Sequence, residues 1–346
     1  MLNSFLKSLK AKAPLPIKKI RHVLQGVGTY VPQPFLRFFP KHMHQFYGKN
    51  VRSKHDIISI ARVSYSFWLR HLVALNELGL PTELQSVAEI GPGDSLGIGL
   101  AAILTGASKH YAFDIIDRTE QHRRVNLEIF EELIKLFRSK SPIPDNTEFP
   151  KAKLLLRNYA FPDFLNEARL AKNLNPGRLA AISEAIIKGK SLTSTEEIEI
   201  KYIVSWDIDT KIEKGTVDII FSDAVMEHVD DIDKIYKASS LWLKRGGFTA
   251  NVTDFRSHET SSLWNGHWTY SDFLWQIIRG KCVYLINREP HSAHLAKLKK
   301  YGFKIIREDI FPRESTLSRY QLAGNFKNLS DQDLTTCSSF VLAQKI

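Results

Sequence analysis

Cysteine is almost absent. Cys282 and Cys337 are the only two in 346 residues and stand far apart, which excludes a disulfide framework and a cysteine-based metal site. The chain lacks any run of about 18 uninterrupted apolar residues, the length that a helix needs to span a bilayer. Its opening, Met1-Leu2-Asn3-Ser4, has neither the apolar core nor the small-residue cleavage site of a secretory signal. Together these absences predict a protein of the reducing cytoplasm. Acidic side chains are missing from the first 55 positions, where Lys7, Lys10, Lys12, Lys18, Lys19, Arg21, Arg37, Lys41, Lys49, Arg52 and Lys54 stand unopposed. The rest of the chain then holds 37 basic against 37 acidic residues, so the whole net charge of +11 belongs to this leader. Interleaved with Leu2, Phe5, Leu6, Leu9, Ile17, Ile20, Phe35 and Phe39, it suits peripheral contact with an anionic membrane surface or a polyanion. A solvated tail wrapped on the domain is the plainer alternative, and scarce Arg with Pro14 and Pro16 speaks against a mitochondrial presequence.

What is present reads as alternating helices and strands. From Asp56 to Leu78 apolar residues recur at helical spacing, and Gly79 and Pro81 stop the helix. The short apolar run Ser86–Ile90 leads into Gly91-Pro92-Gly93-Asp94-Ser95-Leu96-Gly97. A small-residue helix follows, and a second strand runs from Lys109 to Phe113 and ends in Asp114, completing a parallel βαβ unit. Further strands are predicted near residues 203, 219, 250, 305 and 341. The fold expected is α/β, a Rossmann-like seven-stranded, mostly parallel sheet with an antiparallel last strand. A basic extension over 1–55 precedes this domain of 56–346, and a helical insertion near 120–198 exceeds what one crossover needs and is expected to cover the acceptor. Within it Asn175-Pro176 reads as an N-cap and first helical residue.

Two features carry chemistry. A strand that delivers Gly91-x-Gly93 to a helix start lets backbone approach a ligand, because side chains there would block it. An acid ending the next strand, Asp114, stands where it accepts hydrogen bonds from two ribose hydroxyls. Nicotinamide dehydrogenases share this pair, but Gly91, Gly93 and Gly97 are one residue out of step with the dinucleotide glycine pattern, which favours a mononucleoside.

At these residues the chain resembles the class I S-adenosylmethionine-dependent methyltransferases. Glu89-Ile90-Gly91-Pro92-Gly93-Asp94-Ser95 is similar to their first motif. Val217–Ser222 followed by Val225-Met226-Glu227-His228-Val229 is similar to their fourth, and Leu243-Lys244-Arg245-Gly246-Gly247 to the turn before strand five. The resemblance implies S-adenosylmethionine as cofactor. Glu89 would position its methionine ammonium through the loop, Asp114 would take the ribose, and Asp207 the adenine amino group. Gly91, Pro92, Gly93, Ser95, Ile115, Ile208 and Asp223 are implied in the same site, although an N-cap role alone would account for Ser95. A looser resemblance, on Asn251–His258, the tryptophans after it and Ile286-Asn287-Arg288, is to methyltransferases of bacterial surface-polysaccharide and glycan biosynthesis.

The implied reaction is methyl transfer to a hydroxyl of a sugar, a lipid-linked glycan or another small acceptor, with His258 as base and His228 as pocket wall. Each histidine has a structural alternative, bracing its loop. Trp264, Trp268, Tyr270 and Trp275 would stack on a sugar or, as the plainer reading, fill core; Asn287 and Arg288 would hold an anion or serve structure. Ser222-Asp223-Ala224-Val225 lacks the Pro-Pro-aromatic run of nucleobase amine methylases, so nucleic acid is the less favoured partner. An RNA methyltransferase and a non-catalytic cofactor-binding protein are the rivals. No carboxylate or histidine cluster with metal spacing stands in the linear sequence, so no metal is expected.

Overall fold

A computed structural model describes residues 54–116, 119–150, 152–192, 197–204, 212–282 and 285–346, with 23, 26, 27, 29 and 30 of the leader. Asp207 and Ile208 lie outside the described residues, as does most of the 1–55 extension. The strands are β1 (Ser86–Ile90), β2 (Lys109–Asp114), β3 (Lys190–Leu192), β4 (Glu197–Val204), β5 (Val217–Asp223), β6 (Leu243–Asp254), β7 (Phe303–Pro312) and β8 (Thr336–Lys345). They form one sheet in the order β3-β4-β2-β1-β5-β6-β8-β7. The pairs among β4, β2, β1, β5 and β6 are parallel, and β8 lies antiparallel between β6 and β7. The seven expected strands are therefore present with the last one antiparallel. The three-residue β3 adds an unforeseen antiparallel edge on β4.

Burial explains the central elements. All five residues of β1 are buried, as a strand covered on both faces requires. On one face lies α1 (Lys54–Glu77), which buries Ile57, Ala61, Tyr65, Trp68, Leu69, Leu72 and Leu75 along one stripe. Against both α1 and the sheet packs α2 (Gly97–Leu104), and its smallness is a packing requirement. A Cβ at Gly97 would sit 2.2 Å from Ser64 Oγ, and one at Gly99 would sit 1.9 Å from the buried His110 ring. The Trp68 indole N–H donates to Thr105 Oγ1 at 2.7 Å, tying α1 to the end of α2.

The insertion comprises α3 (Thr119–Arg138), α4 (Glu167–Asn173) and α5 (Pro176–Lys188). Asn175 caps α5 as expected, its side chain accepting from Arg178 N. The expectation that the insertion covers an acceptor is corrected for α4 and α5, which sit at the amino edge of the sheet. Arg169 donates to the carbonyls of Thr82 and Thr105, and Arg178 to those of Ile103 and Ala107, all of which precede β1 or β2. Orphan carbonyls at the end of α2 draw these two guanidinium groups, and so the insertion docks there.

The carboxyl edge is covered instead by the segments that follow β6 and β7. Trp268, Leu322, Leu329 and Leu334 make a separate small core there. Trp264 Nε1 donates to Glu314 O at 2.8 Å, and Asn265 Nδ2 to Leu334 O at 3.0 Å, lacing the two segments together. Between them stand α7 (Asp272–Arg279) and α8 (His291–Lys300), with α6 (Ile232–Trp242) before them and α9 (Asp331–Thr335) after. β6 begins at Leu243 rather than at Phe248: the expected turn over 243–247 lies inside the strand, as a register shift opposite Val217 and Ile219 with Gly246 at φ 81°. The few described leader residues dock on this side, where Lys281 N donates to Thr29 Oγ1 at 2.8 Å. No helix among the described residues is long and apolar enough to cross a membrane.

Candidate functional site

The carboxyl ends of β1, β2, β5 and β6 converge on one edge, where open parallel sheets present ligand sites. Gly91 and Gly93 both have left-handed backbones, at φ 70° and 66°. Space constrains Gly91 as well, since a Cβ would lie 2.5 Å from Val225 Cγ1; nothing stands within 4 Å of the position a Cβ would take at Gly93. The loop is anchored below by Gly91 N donating to Phe113 O at 2.8 Å and above by Leu96 N donating to the buried Asn126 Oδ1 at 2.9 Å. Pro92 and Ser95 are half-buried in this turn; Ser95 Oγ accepts from Gly97 N at 3.4 Å, but the N-cap of α2 is Leu96, with no side-chain capping bond, so the capping alternative for Ser95 is corrected.

Glu89 is buried beneath the loop, with Oε2 3.3 Å from His110 Nε2 in an ion-pair contact that does not form a hydrogen bond. Burial pushes its carboxyl up, and His110 opposes that shift. Asp114 stands at the tip of β2, and its Oδ1 accepts from Ile115 N at 2.7 Å and Ile116 N at 3.2 Å, so the strand end itself orients the carboxylate. Next to it Ile115 is exposed and offers an apolar surface at the edge. Asp223, at the tip of β5, faces the helix α1, where His71 Nε2 is 3.5 Å from its Oδ2. His71 is buried on an otherwise apolar helix face, which is the signal by which the sequence shows it.

After Asp223 the chain turns sharply, with Ala224 at φ 52°, into a single 3-10 turn over Met226–His228. Asn287 clamps this turn: Nδ2 donates to the carbonyls of Met226 and Val229, both at 2.8 Å, and its N–H donates to Glu227 O at 2.7 Å. The anion-binding reading of Asn287 and Arg288 is thereby corrected. Arg288 is 8% exposed, donates to Tyr270 O and Asp272, and lies between the Trp275 and Phe326 rings. Trp268, Tyr270 and Trp275 are buried as core, and Trp264, half-buried, directs its indole N–H to Glu314 O, so the aromatic run forms no open platform.

The fold brings His228 and His258 together, with ring centroids 4.9 Å apart and planes at 76°. His258 and Glu259 both adopt left-handed backbones, at φ 44° and 65°, which turns the His258 ring back over the strand ends. Asp254 Oδ2 lies 3.4 Å from His258 Nε2, and the same carboxylate accepts from Arg256 Nε at 2.8 and 2.9 Å. Against desolvation, which raises it, the contacts with His258 and Arg256 hold the Asp254 carboxyl below the usual range. Glu227, 3% exposed, behaves oppositely: burial pushes its carboxyl up to about 8, against the backbone N–H groups of Glu227 and Asp254 that face it short of full hydrogen bonds, and no side-chain donor reaches either oxygen. The expectation of a metal-free site rests on linear spacing, yet in the fold Glu227, His228 and His258 offer ligand atoms all within 4.8 Å of one another.

No protein-family model matches the chain, and no curated protein is similar to it in sequence. Among solved structures it is similar to an S-adenosylmethionine-dependent methyltransferase from Mesorhizobium loti, at 14% identity over 79% of this chain and 96% of the other, with a TM-score of 0.38. It is also similar to SAM-dependent methyltransferases from Methanosarcina mazei, at 13% identity over 79% and 97%, with a TM-score of 0.39. A third likeness is to geranyl diphosphate C-methyltransferase from Streptomyces coelicolor A3(2), solved with Mg2+, geranyl diphosphate and S-adenosyl-L-homocysteine, at 12% identity over 88% and 92%, with a TM-score of 0.40. The fold stands on the chain's own strand order, and the site on its own geometry.

Proposed function

We propose that the chain binds S-adenosylmethionine at the carboxyl edge of β1 and β2 and transfers its methyl group to a hydroxyl oxygen of a small acceptor held beneath the segments after β6 and β7. The observation that carries this reading is the paired left-handed glycines of the β1–α2 turn beside a backbone-oriented Asp114. That turn exposes backbone to a ligand, and Asp114 suits two ribose hydroxyls. Gly91, Pro92, Gly93 and Ser95 would line the methionine side, Ile115 the adenine, and Asp223 the floor between cofactor and acceptor.

A sulfonium methyl is already activated, so alignment is the main task and supplies on the order of 7 kcal/mol or more. In the transfer the acceptor oxygen attacks the methyl carbon in line with the breaking carbon–sulfur bond, whose electron pair stays on sulfur. The acceptor proton leaves at the His228–His258 pair, where His258, backed by Asp254, is the exposed imidazole placed to take it. A sugar or lipid-linked glycan is one class of hydroxyl acceptor, supported by the likeness of Asn251–His258 to glycan methyltransferases. The internal packing of Trp268, Tyr270, Trp275 and Arg288 removes the stacking and anion contacts that would have favoured it.

Calorimetry with S-adenosylmethionine tests the reading at its base; well-folded protein that gives no heat of association would end it. Asp114→Ala will weaken this binding by about 1–3 kcal/mol, since two hydroxyls lose a charged acceptor. Unchanged affinity would contradict the assignment of Asp114. With methyl-labelled cofactor and fractionated cell extract, label will pass to a hydroxyl-bearing product. His258→Ala will slow that labelling on the order of 10²-fold while cofactor affinity holds; a fully active variant would remove His258 from the reaction.

A further inference from the structure

We infer that Glu227, His228 and His258 form a binding site for one divalent transition-metal cation, placed at the acceptor end of the proposed methyl-transfer site and resting on that reading for its role. Three donors of the two-histidine, one-carboxylate kind converge there, with one ligand atom from each within 4.8 Å of the others. This set suits zinc and neighbouring first-row cations and not Mg2+ or Ca2+, which take oxygen ligands.

The independent sign of a missing occupant is Glu227. Its side chain is almost wholly buried, no side-chain donor reaches either carboxylate oxygen, and only the backbone N–H groups of Glu227 itself and of Asp254 are turned towards them, short of full hydrogen bonds. An isolated buried carboxylate is costly, and such groups are normally paired or bound to a metal. The nearby cation, Arg256, is held in a fork by Asp254 and so does not fill that place. Behind His258 the Asp254 carboxylate, 3.4 Å from Nε2, stands where an outer carboxylate orients a metal-bound imidazole, which leaves Nδ1 to the cation. Ligand bonds of about 2.0–2.2 Å require donors roughly 3.3 Å apart in a tetrahedral site. His258, whose side chain is 29% exposed, is the donor with room to make that approach.

Three protein donors leave at least one coordination position open. An acceptor hydroxyl bound there loses its proton to water more readily, and the oxygen then attacks the methyl carbon as the carbon–sulfur pair withdraws to sulfur. His258 in this state is a ligand, and acidity of the bound hydroxyl replaces an imidazole base.

The test uses the full chain, freed of metal by a chelator and titrated with Co2+ while visible d–d absorption is recorded. One equivalent is expected to bind, to be displaced by Zn2+, and to bind at least tenfold more weakly in Glu227→Gln and in His258→Ala. Glu227→Gln keeps the size and shape of the side chain and is expected to fold at least as well as the parent, which circular dichroism checks. Absence of a stoichiometric Co2+ site, or binding unaltered by both substitutions, overturns the site. Calorimetry with S-adenosylmethionine on the same samples separates the two ideas. Co2+ binding without cofactor binding would keep the metal site and sink the methyltransferase reading; cofactor binding without a Co2+ site would do the reverse.

Discussion

Replacing Arg70 by Met is expected to lower unfolding stability by about 2–4 kcal/mol, because it strips a buried network of its only cation. Arg70 is 1% exposed in the middle of α1. Its guanidinium donates to Leu154 O and Pro144 O, both at 2.7 Å, to Ser66 Oγ at 3.0 Å and to Asn146 Oδ1 at 3.1 Å, and it lies 5.0 Å from the centre of the Tyr159 ring. These bonds hold the irregular segment over 141–159 against the helix. Met keeps the bulk of the aliphatic stem but offers no donor, so Leu154 O loses the partner that satisfies it. Relief from desolvating a charge, which lowers the guanidinium pKa in the fold, offsets part of the loss. Urea denaturation of parent and variant reads the difference. A loss below about 1 kcal/mol would show that the segment finds other partners or water.

The second large effect is expected from Gly91→Ala, at about 2–4 kcal/mol of stability together with loss of measurable cofactor binding. Two costs combine. A left-handed backbone costs an L-residue about 1–2 kcal/mol, and overpacking costs typically 1–3 kcal/mol. The new methyl would stand 2.5 and 2.7 Å from the two Val225 methyls. Adding Val225→Ala removes those two methyls but not the backbone strain, so the double variant is expected to recover part of the stability and not all of it. Additive losses in the double-mutant cycle would show that the two residues do not press on one another. Gly93→Ala, with φ 66° but open space around its Cβ, separates the backbone cost from the contact cost.

The βαβ unit that holds the turn was legible because its information is local. Glycines at Gly91 and Gly93, the apolar run before them and the acid at Asp114 each act within a few residues, and so does the Asn175-Pro176 cap. The direction in which the insertion docks was not legible: Arg169 and Arg178 find their carbonyl partners more than sixty residues away, at the amino edge. The aromatic run of 264–275 has one composition for a stacking platform and for a core, and only burial distinguishes them. Asn287 likewise shows no sign in its neighbours that it will clamp a turn sixty residues earlier.

Local order in the chain thus settles that a backbone-exposing turn and an acid follow successive strands, since backbone freedom and strand periodicity depend on near neighbours. Long-range pairing decides the acceptor end. Asp223 pairs with Val252 across β5 and β6, and this register brings a turn at Glu227–His228 beside a loop at His258, thirty residues on. The cause is sheet geometry. Here side chains distant along the chain become neighbours because two parallel strands end at the same edge, and no residue type within either segment records that alignment.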